Sequence, residues 1–305
     1  IEAAEKVPAR TIDFRSGESI LAPGRIPLKA DTPAYQRLDL EYKARLEAMT
    51  PVAMFGHTLA DFGMYLALCV LCGFYIYFHQ PRLLSDWRRF VTLLGLIVTT
   101  IALAWWMSID QWRAEAVPLV LFAMTAAIAY RQEVALLLSP AVCVIFTLSA
   151  GQGLAEFIIL LAPMAVAVLL LGRVRSRTKL LYVGVGVGVA ALLTSLGVGT
   201  LAGQNIGTMP IWGEVIDVPV LIVHSLWILA FSILAGLLMT GLLPLVERIF
   251  DVQTDISLLE LGDAAHPLLQ ELVRRAPGTY NHSINVASIA EAAADAIGAN
   301  GLLCR

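Results

Sequence analysis

From residue 57 to residue 243 the chain is a succession of apolar blocks parted by short polar turns. Seven blocks fall near residues 57–78, 90–107, 115–130, 133–149, 153–172, 180–202 and 218–243. A helix needs roughly 17–25 residues to cross a hydrocarbon layer of about 30 Å. The third and fourth blocks are marginal, joined only by the turn at Arg131 and Gln132. Two short tilted spans or one re-entrant hairpin would fit them, and both preserve the sidedness of the later blocks. The pattern predicts an all-α polytopic membrane protein: a seven-helix transmembrane bundle over residues 51–243.

The flanks read differently. Residues 1–50 are polar, with Gly17 and Pro23-Gly24 punctuating an alternating stretch that predicts a short hairpin or meander. Thr32 to Met49 predicts an amphipathic helix with Leu38, Leu40, Tyr42, Leu46 and Met49 roughly on one side, started by Asp31 or Thr32 with Pro33. So small a segment lacks an independent core, which makes it the end of a larger domain. IEAAEKVPAR at the start has no apolar h-region, so an export segment is expected upstream of Ile1.

Composition agrees with the blocks: 58% of residues are hydrophobic, and mean hydropathy is +0.75. No lysine- or arginine-rich patch interleaves with aromatics, so no nucleic-acid polymer is expected as a partner. Charge bears on orientation. Arg82, Arg88 and Arg89 follow the first block, Arg131 the third, and Arg173, Arg175, Arg177 and Lys179 the fifth. The alternate loops hold Arg113 with Asp110, Glu214 and Asp217. Positive charge stays inside. The N-terminus is therefore expected outside the plasma membrane and the C-terminus in the cytoplasm, as seven crossings also require. Trp87, Trp105, Trp106, Trp112 and Trp212 fall near block ends, as interfacial anchors do.

Within the blocks, Cys69 and Cys72 form a CxxC in apolar surroundings that disfavour a thiolate, so packing is the better reading. Gly184, Gly186 and Gly188 could serve a hinge, but Gly184 and Gly188 also form a small-xxx-small face for close helix packing, which is preferred. Asp61, Glu156 and His224 lie in the opening turns of the first, fifth and seventh blocks. Ionisable groups in a membrane are costly and usually face a cavity or one another. The three are candidates for a polar cup toward the outer leaflet that receives a signal; each could instead reach interfacial water, as His57 and Asp110 do. Transport is disfavoured, because no internal repeat or matched pair of broken spans marks a midplane site.

After Leu243-Pro244 the chain is polar. Residues 244–275 read as a linker and entry helix, with weak capping-box character at Ser257 to Glu260 and Asp255 as another cap. His266 precedes Pro267, which suits a first helical turn, so His266 is a helix-start residue. Pro277-Gly278 predicts a turn into a helix over SINVASIAEAAADAIG, closed by Gly298 and burying Ile284, Ala287, Ile289, Ala290, Ala294 and Ile297. His282 stands at the start of that helix. Taken alone, such a histidine is more often structural than catalytic.

The order and spacing of TDISLLEL, HPLLQEL, APGTYNHS and AEAAADAIGAN resemble the cytosolic entry of the seven-transmembrane HD-domain (PgpH-type) cyclic-di-AMP phosphodiesterases. The seven-block layout resembles them too, and residues 1–50 resemble the C-terminal part of their extracellular sensor domain. The resemblance implies that residues 276–305 begin an all-α HD phosphohydrolase domain and that His282 is the first ligand of its two-metal site. Members often have two adjacent histidines where this chain has Asn281 and His282. The chain reaches Arg305 before the His-Asp doublet that names the fold, so the catalytic residues cannot be assigned and this segment alone is not expected to bind metal. In the whole protein the family implies two divalent metal ions, iron or manganese, and hydrolysis of cyclic di-AMP to pApA. Expected partners are cyclic di-AMP, an unidentified extracellular ligand, the lipid bilayer and a second copy of the chain. The alternative is a receptor whose HD module binds a nucleotide or a partner without cleaving it.

Overall fold

The computed structural model describes residues 39–44, 51–108, 114–172, 174, 176–201, 208–211, 216–263 and 266–305. The predicted N-terminal hairpin, most of the helix expected from Thr32 to Met49, and Asp110, Trp112, Arg113, Arg173, Arg175 and Trp212 lie outside the described residues. The chain divides into two units, residues 1–69 with 203–220 and residues 70–202 with 221–305.

In the first unit, residues 39–44 are helical, with Lys43 Nζ 2.7 Å from Asp39 across one turn. Two four-residue strands, β1 (Thr208–Ile211) and β2 (Ile216–Pro219), pair antiparallel with Thr208 opposite Pro219 and Ile211 opposite Ile216. The hydropathy pattern missed this pair: the block expected from residue 218 becomes helical only at Val220. Helix α1 (Pro51–His79) starts in this unit and ends in the second.

The second unit holds α2 (Pro81–Ser85), α3 (Trp87–Ser108), α4 (Ala116–Ala129), α5 (Gln132–Ser149), α6 (Leu154–Leu171), α7 (Arg177–Leu201) and, from Leu221 onward, α8 (Val220–Phe250). Among the described residues six helices are long and apolar enough to cross a membrane: α1, α3, α5, α6, α7 and α8. Helix α4 is the exception. Its 14 residues reach about 21 Å at 1.5 Å per residue. It is apolar all round, and ten of those residues are buried, as expected of a helix enclosed by others. The third and fourth blocks thus form two separate helices, of which only the fourth has spanning length. Trp87, Trp105 and Trp106 stand exposed at the ends of α3.

Polar contacts gather the charged turns at one end of the bundle. Tyr130 donates from its hydroxyl to the Arg89 carbonyl at 3.0 Å, and its ring meets Phe250 edge-on at 5.8 Å. Gln132 Nε2 donates to the Val168 carbonyl at 3.1 Å, serving a carbonyl in the last turn of α6. At the other end Ile159, Ala191 and Ile228 join α6, α7 and α8 in one buried cluster.

Lipid tails are as apolar as leucine, so membrane helices associate through close packing and interhelical hydrogen bonds. Here both occur between α7 and α8. A methyl group on Gly184 would lie 2.9 Å from the Gly236 Cα, and one on Gly188 would lie 3.2 Å from the Leu229 carbonyl oxygen. The glycine face of the sixth block is therefore a packing face. Farther along, the buried hydroxyls of Ser195 and Ser225 lie 2.9 Å apart, and Ser225 also donates to the Leu221 carbonyl at 2.8 Å.

Among the described residues four helix ends are followed by a residue of positive φ, and three of them close with the same bond. Gly151 (φ 66°) follows α5, Asp251 (φ 51°) follows α8, and Gly298 (φ 72°) follows α11 (Pro277–Ala296). In each case the next amide reaches back five residues: Gln152 to the Thr147 carbonyl at 2.8 Å, Val252 to Glu247 at 3.1 Å, and Ala299 to Ala294 at 2.9 Å. This satisfies carbonyls that the helix end leaves open.

Gly236→Ala is expected to lower stability by about 1–3 kcal/mol, since its methyl would meet backbone rather than a movable side chain. Gly197→Ala, with nothing near its added methyl, is expected to be neutral or stabilising by up to about 1 kcal/mol. Thermal unfolding of both variants in detergent checks the difference.

Candidate functional site

The polar tail beyond α8 folds into α9 (Asp255–Leu261), α10 (Pro267–Arg275), α11 and α12 (Gly301–Cys304). Thr254 is the N-cap of α9, and Asp255 takes the first helical position, so the cap expected at Asp255 or Ser257 falls slightly earlier. His266 caps α10: its Nδ1 accepts from the Leu268 amide at 3.3 Å, with Pro267 in the first turn. The helix-start reading of His266 agrees with this geometry.

Helix α11 starts at Pro277, six residues before the stretch expected from Ser283. Proline's fixed φ suits a first helical position, and its missing N–H costs nothing there. His282 therefore sits in the second turn, exposed, rather than at the helix start. The predicted buried side is largely open. Ala294 is the buried residue of α11, while Ile289 and Ile297 are 70% and 82% exposed. The reason lies in its neighbours: α11 packs on the short helices α10 and α12, which reach only part of its surface. Gly301 of α12 approaches the Asp295 carboxylate closely enough that a methyl there would lie 2.6 Å from Oδ1. Arg305 pairs with Glu291 at 3.3 Å and fastens α12 to α11.

Of the three candidate cup residues, Glu156 and His224 belong to the second unit and Asp61 to the first. Glu156, half-buried on α6, lines a cavity of about 10 Å³ together with Glu115, Ile159, Leu160 and Ile228. That volume is at the lower limit for one water molecule. Asp61 is exposed on α1 in the first unit. His224 is half-buried on α8 and does not line the cavity. Glu115 is the residue that hydropathy reading missed. It is the N-cap of α4 and is only 3% exposed. Its signal was an acid opening the shortest block. Helix α4 is enclosed by its neighbours over most of its length, and the residue before it is enclosed too. The N-termini of α4 and α6 carry partial positive charge, which favours carboxylates at those positions.

Among the described residues no group of three or more His, Cys, Asp and Glu side chains could hold a metal ion. His282 offers a single imidazole, whereas a metal site needs three or four converging donors. The donor set here does not fit a two-metal centre.

Membrane-length apolar helices leading into a polar helical tail define a multi-pass membrane protein with an appended helical module. The profile of the family described as "7TM receptor with intracellular HD hydrolase" matches residues 57–254, well over half of the chain, and the chain belongs to that family. It is similar to the cyclic-di-AMP phosphodiesterase PgpH of Bacillus subtilis (strain 168), 34% identical over 143 residues, 45% of this chain and 18% of that protein. It is also 47% identical over 87 residues to the PgpH of Listeria monocytogenes serotype 1/2a, 27% of this chain and 12% of that protein. An uncharacterized protein of Synechocystis sp. is 36% identical over 145 residues, 46% of this chain and 17% of that protein. The chain spans less than a fifth of the length of these relatives. No solved structure matches it.

Being exposed and outside the packing described, His282 is expected to be dispensable for folding. His282→Ala should change unfolding free energy by less than about 0.5 kcal/mol, as read from thermal unfolding in detergent.

Proposed function

We propose that the whole protein is a plasma-membrane signalling phosphodiesterase that hydrolyses cyclic di-AMP to pApA, with the bundle and an outer domain as its regulators. The observation that carries this reading is the family match across residues 57–254 together with two relatives named cyclic-di-AMP phosphodiesterases. In this reading residues 1–50 end the extracellular sensor, residues 51–243 form the transmembrane domain, residues 244–275 link it inward, and residues 276–305 open the HD domain. The N-terminus lies outside and the C-terminus inside, supported by the positive charge gathered at the end where α8 exits. His282 is one ligand of the divalent metals held by the complete domain, with iron or manganese suiting nitrogen and carboxylate donors.

The cup is retained in altered form. The cavity lined by Glu115 and Glu156 is the candidate place where a signal from the outer face acts on the helices, and His224 lies on the helix that contributes Ile228. Coupling of such a place to a distant module requires an element with two arrangements that both ends bias.

Purified full-length protein supplied with manganese is expected to convert cyclic di-AMP to pApA, and His282→Ala to reduce that rate to background while leaving the protein folded. Undiminished hydrolysis by the variant would remove His282 from the site. Binding of cyclic di-AMP without hydrolysis by the wild type would favour the non-catalytic receptor. Glu156→Ala and His224→Ala are each expected to alter the basal hydrolysis rate in lipid nanodiscs. Unchanged rates in both would eliminate the cup.

A further inference from the structure

Where α8 leaves the apolar region, the backbone turns sharply at Asp251 and restarts as α9 four residues later. A helix start has amide donors with no partner in its own helix. In α9 the usual remedy is missing: the Thr254 side chain makes no cap bond to its own helix. The acceptor comes from α8 instead. Glu247 Oε1 accepts from the Thr254 amide at 3.1 Å, from the Thr254 hydroxyl at 2.5 Å and from the Ser257 hydroxyl at 2.6 Å. Thr254 and Asp255 are buried at this joint, and Glu247 is half-buried. One carboxylate oxygen thus caps a helix whose N-cap residue lies seven residues away, on the far side of a left-handed turn.

A second tether reaches the same helix from α7, where Arg177 pairs with Glu260 at 3.3 Å. Both arms meet helices already locked together, since α7 and α8 touch through Gly184 and Gly236. Beyond α9 the contact continues. Helix α9 packs on α12, and α12 packs on α11, the helix that carries His282. The path from the last apolar helix to His282 therefore passes through a joint that is not helix packing, and that joint is Glu247.

We propose that Glu247 is a positioning residue that makes α8 and α9 a single lever, so that a rotation or shift of α8 is delivered undamped to the segment bearing His282. Its regulatory meaning rests on the proposed phosphodiesterase function; its mechanical meaning does not. Hydrogen bonds to an ionised acceptor are about twice as strong as neutral ones, and three converge on one atom. A glutamine retains a carbonyl oxygen of the same reach, whereas alanine leaves the α9 donors to water and frees the joint.

The test uses the full-length protein in lipid nanodiscs, with spin labels on the exposed positions Leu245 and Leu259 and, separately, hydrogen exchange of the amides of residues 254–261. The wild type is expected to give one narrow 245–259 distance. Glu247→Ala is expected to broaden it and to lower protection of α9 about 5–30-fold, the factor that one or two kcal/mol represents. Protection across residues 230–243 should stay unchanged, which shows that α8 is intact. Glu247→Gln should retain most of the narrow distribution, and Ser257→Ala, which removes one of three donors, should fall between. A narrow distance and unchanged protection in Glu247→Ala would overturn the lever. Hydrolysis of cyclic di-AMP is measured on the same samples. A loosened joint with an unaltered rate would overturn its regulatory role, while absence of hydrolysis in the wild type would refute the enzyme reading and leave the distance result standing.

Discussion

The backbone contact between Gly184 and Gly236 sets the geometry on which the rest of this unit depends. Within a bilayer no solvent drives helices together, so their approach is decided by how closely backbones can come. With no side chain on either residue, α7 and α8 meet at a distance that a single methyl would forbid. That approach puts Ser195 and Ser225 within 2.9 Å in the same seam. At the charged end it leaves Arg177 and Glu247 on adjacent helices, each reaching α9.

Much of this was legible in the chain. Among the described residues the apolar blocks located the six membrane-length helices because lipid imposes a length and a composition that little else does. The spacing of Gly184 and Gly188 indicated close packing, but not its partner, since nothing in the sequence marks which helix Gly236 will face. Gly298 announced its own left-handed turn, whereas Asp251 did not, because aspartate adopts that region only when context demands it. The start of α11 was placed too late because Pro277-Gly278 reads as a turn locally, while in the fold proline opens the helix.

The sites were less legible, for a physical reason. Glu115 is an acid at the edge of a block with no mark of burial in the sequence, and its enclosure by neighbouring helices is a three-dimensional fact. Asp61, Glu156 and His224 share a position near the starts of their apolar blocks, but the helix bearing Asp61 begins ten residues earlier at Pro51, and of the three Glu156 lines the cavity. His282 was singled out by its motif, and the fold adds that it is solvent-facing on a helix linked through α12 to α9. The triple hydrogen bond at Glu247 had no sequence signature at all, since capping rules look within a helix and this cap arrives from the preceding one.

The two tethers of α9 differ in how they respond to dissolved ions. Arg177 and Glu260 are 60% and 66% exposed, so their attraction is screened over a Debye length of about 8 Å at physiological ionic strength and contributes little beyond it. The bonds to Glu247 are short, partly buried and directional, and mobile counterions compete with them poorly. Concentrated electrolyte would thus release α9 from α7 while leaving its attachment to α8 through the Glu247 carboxylate in place.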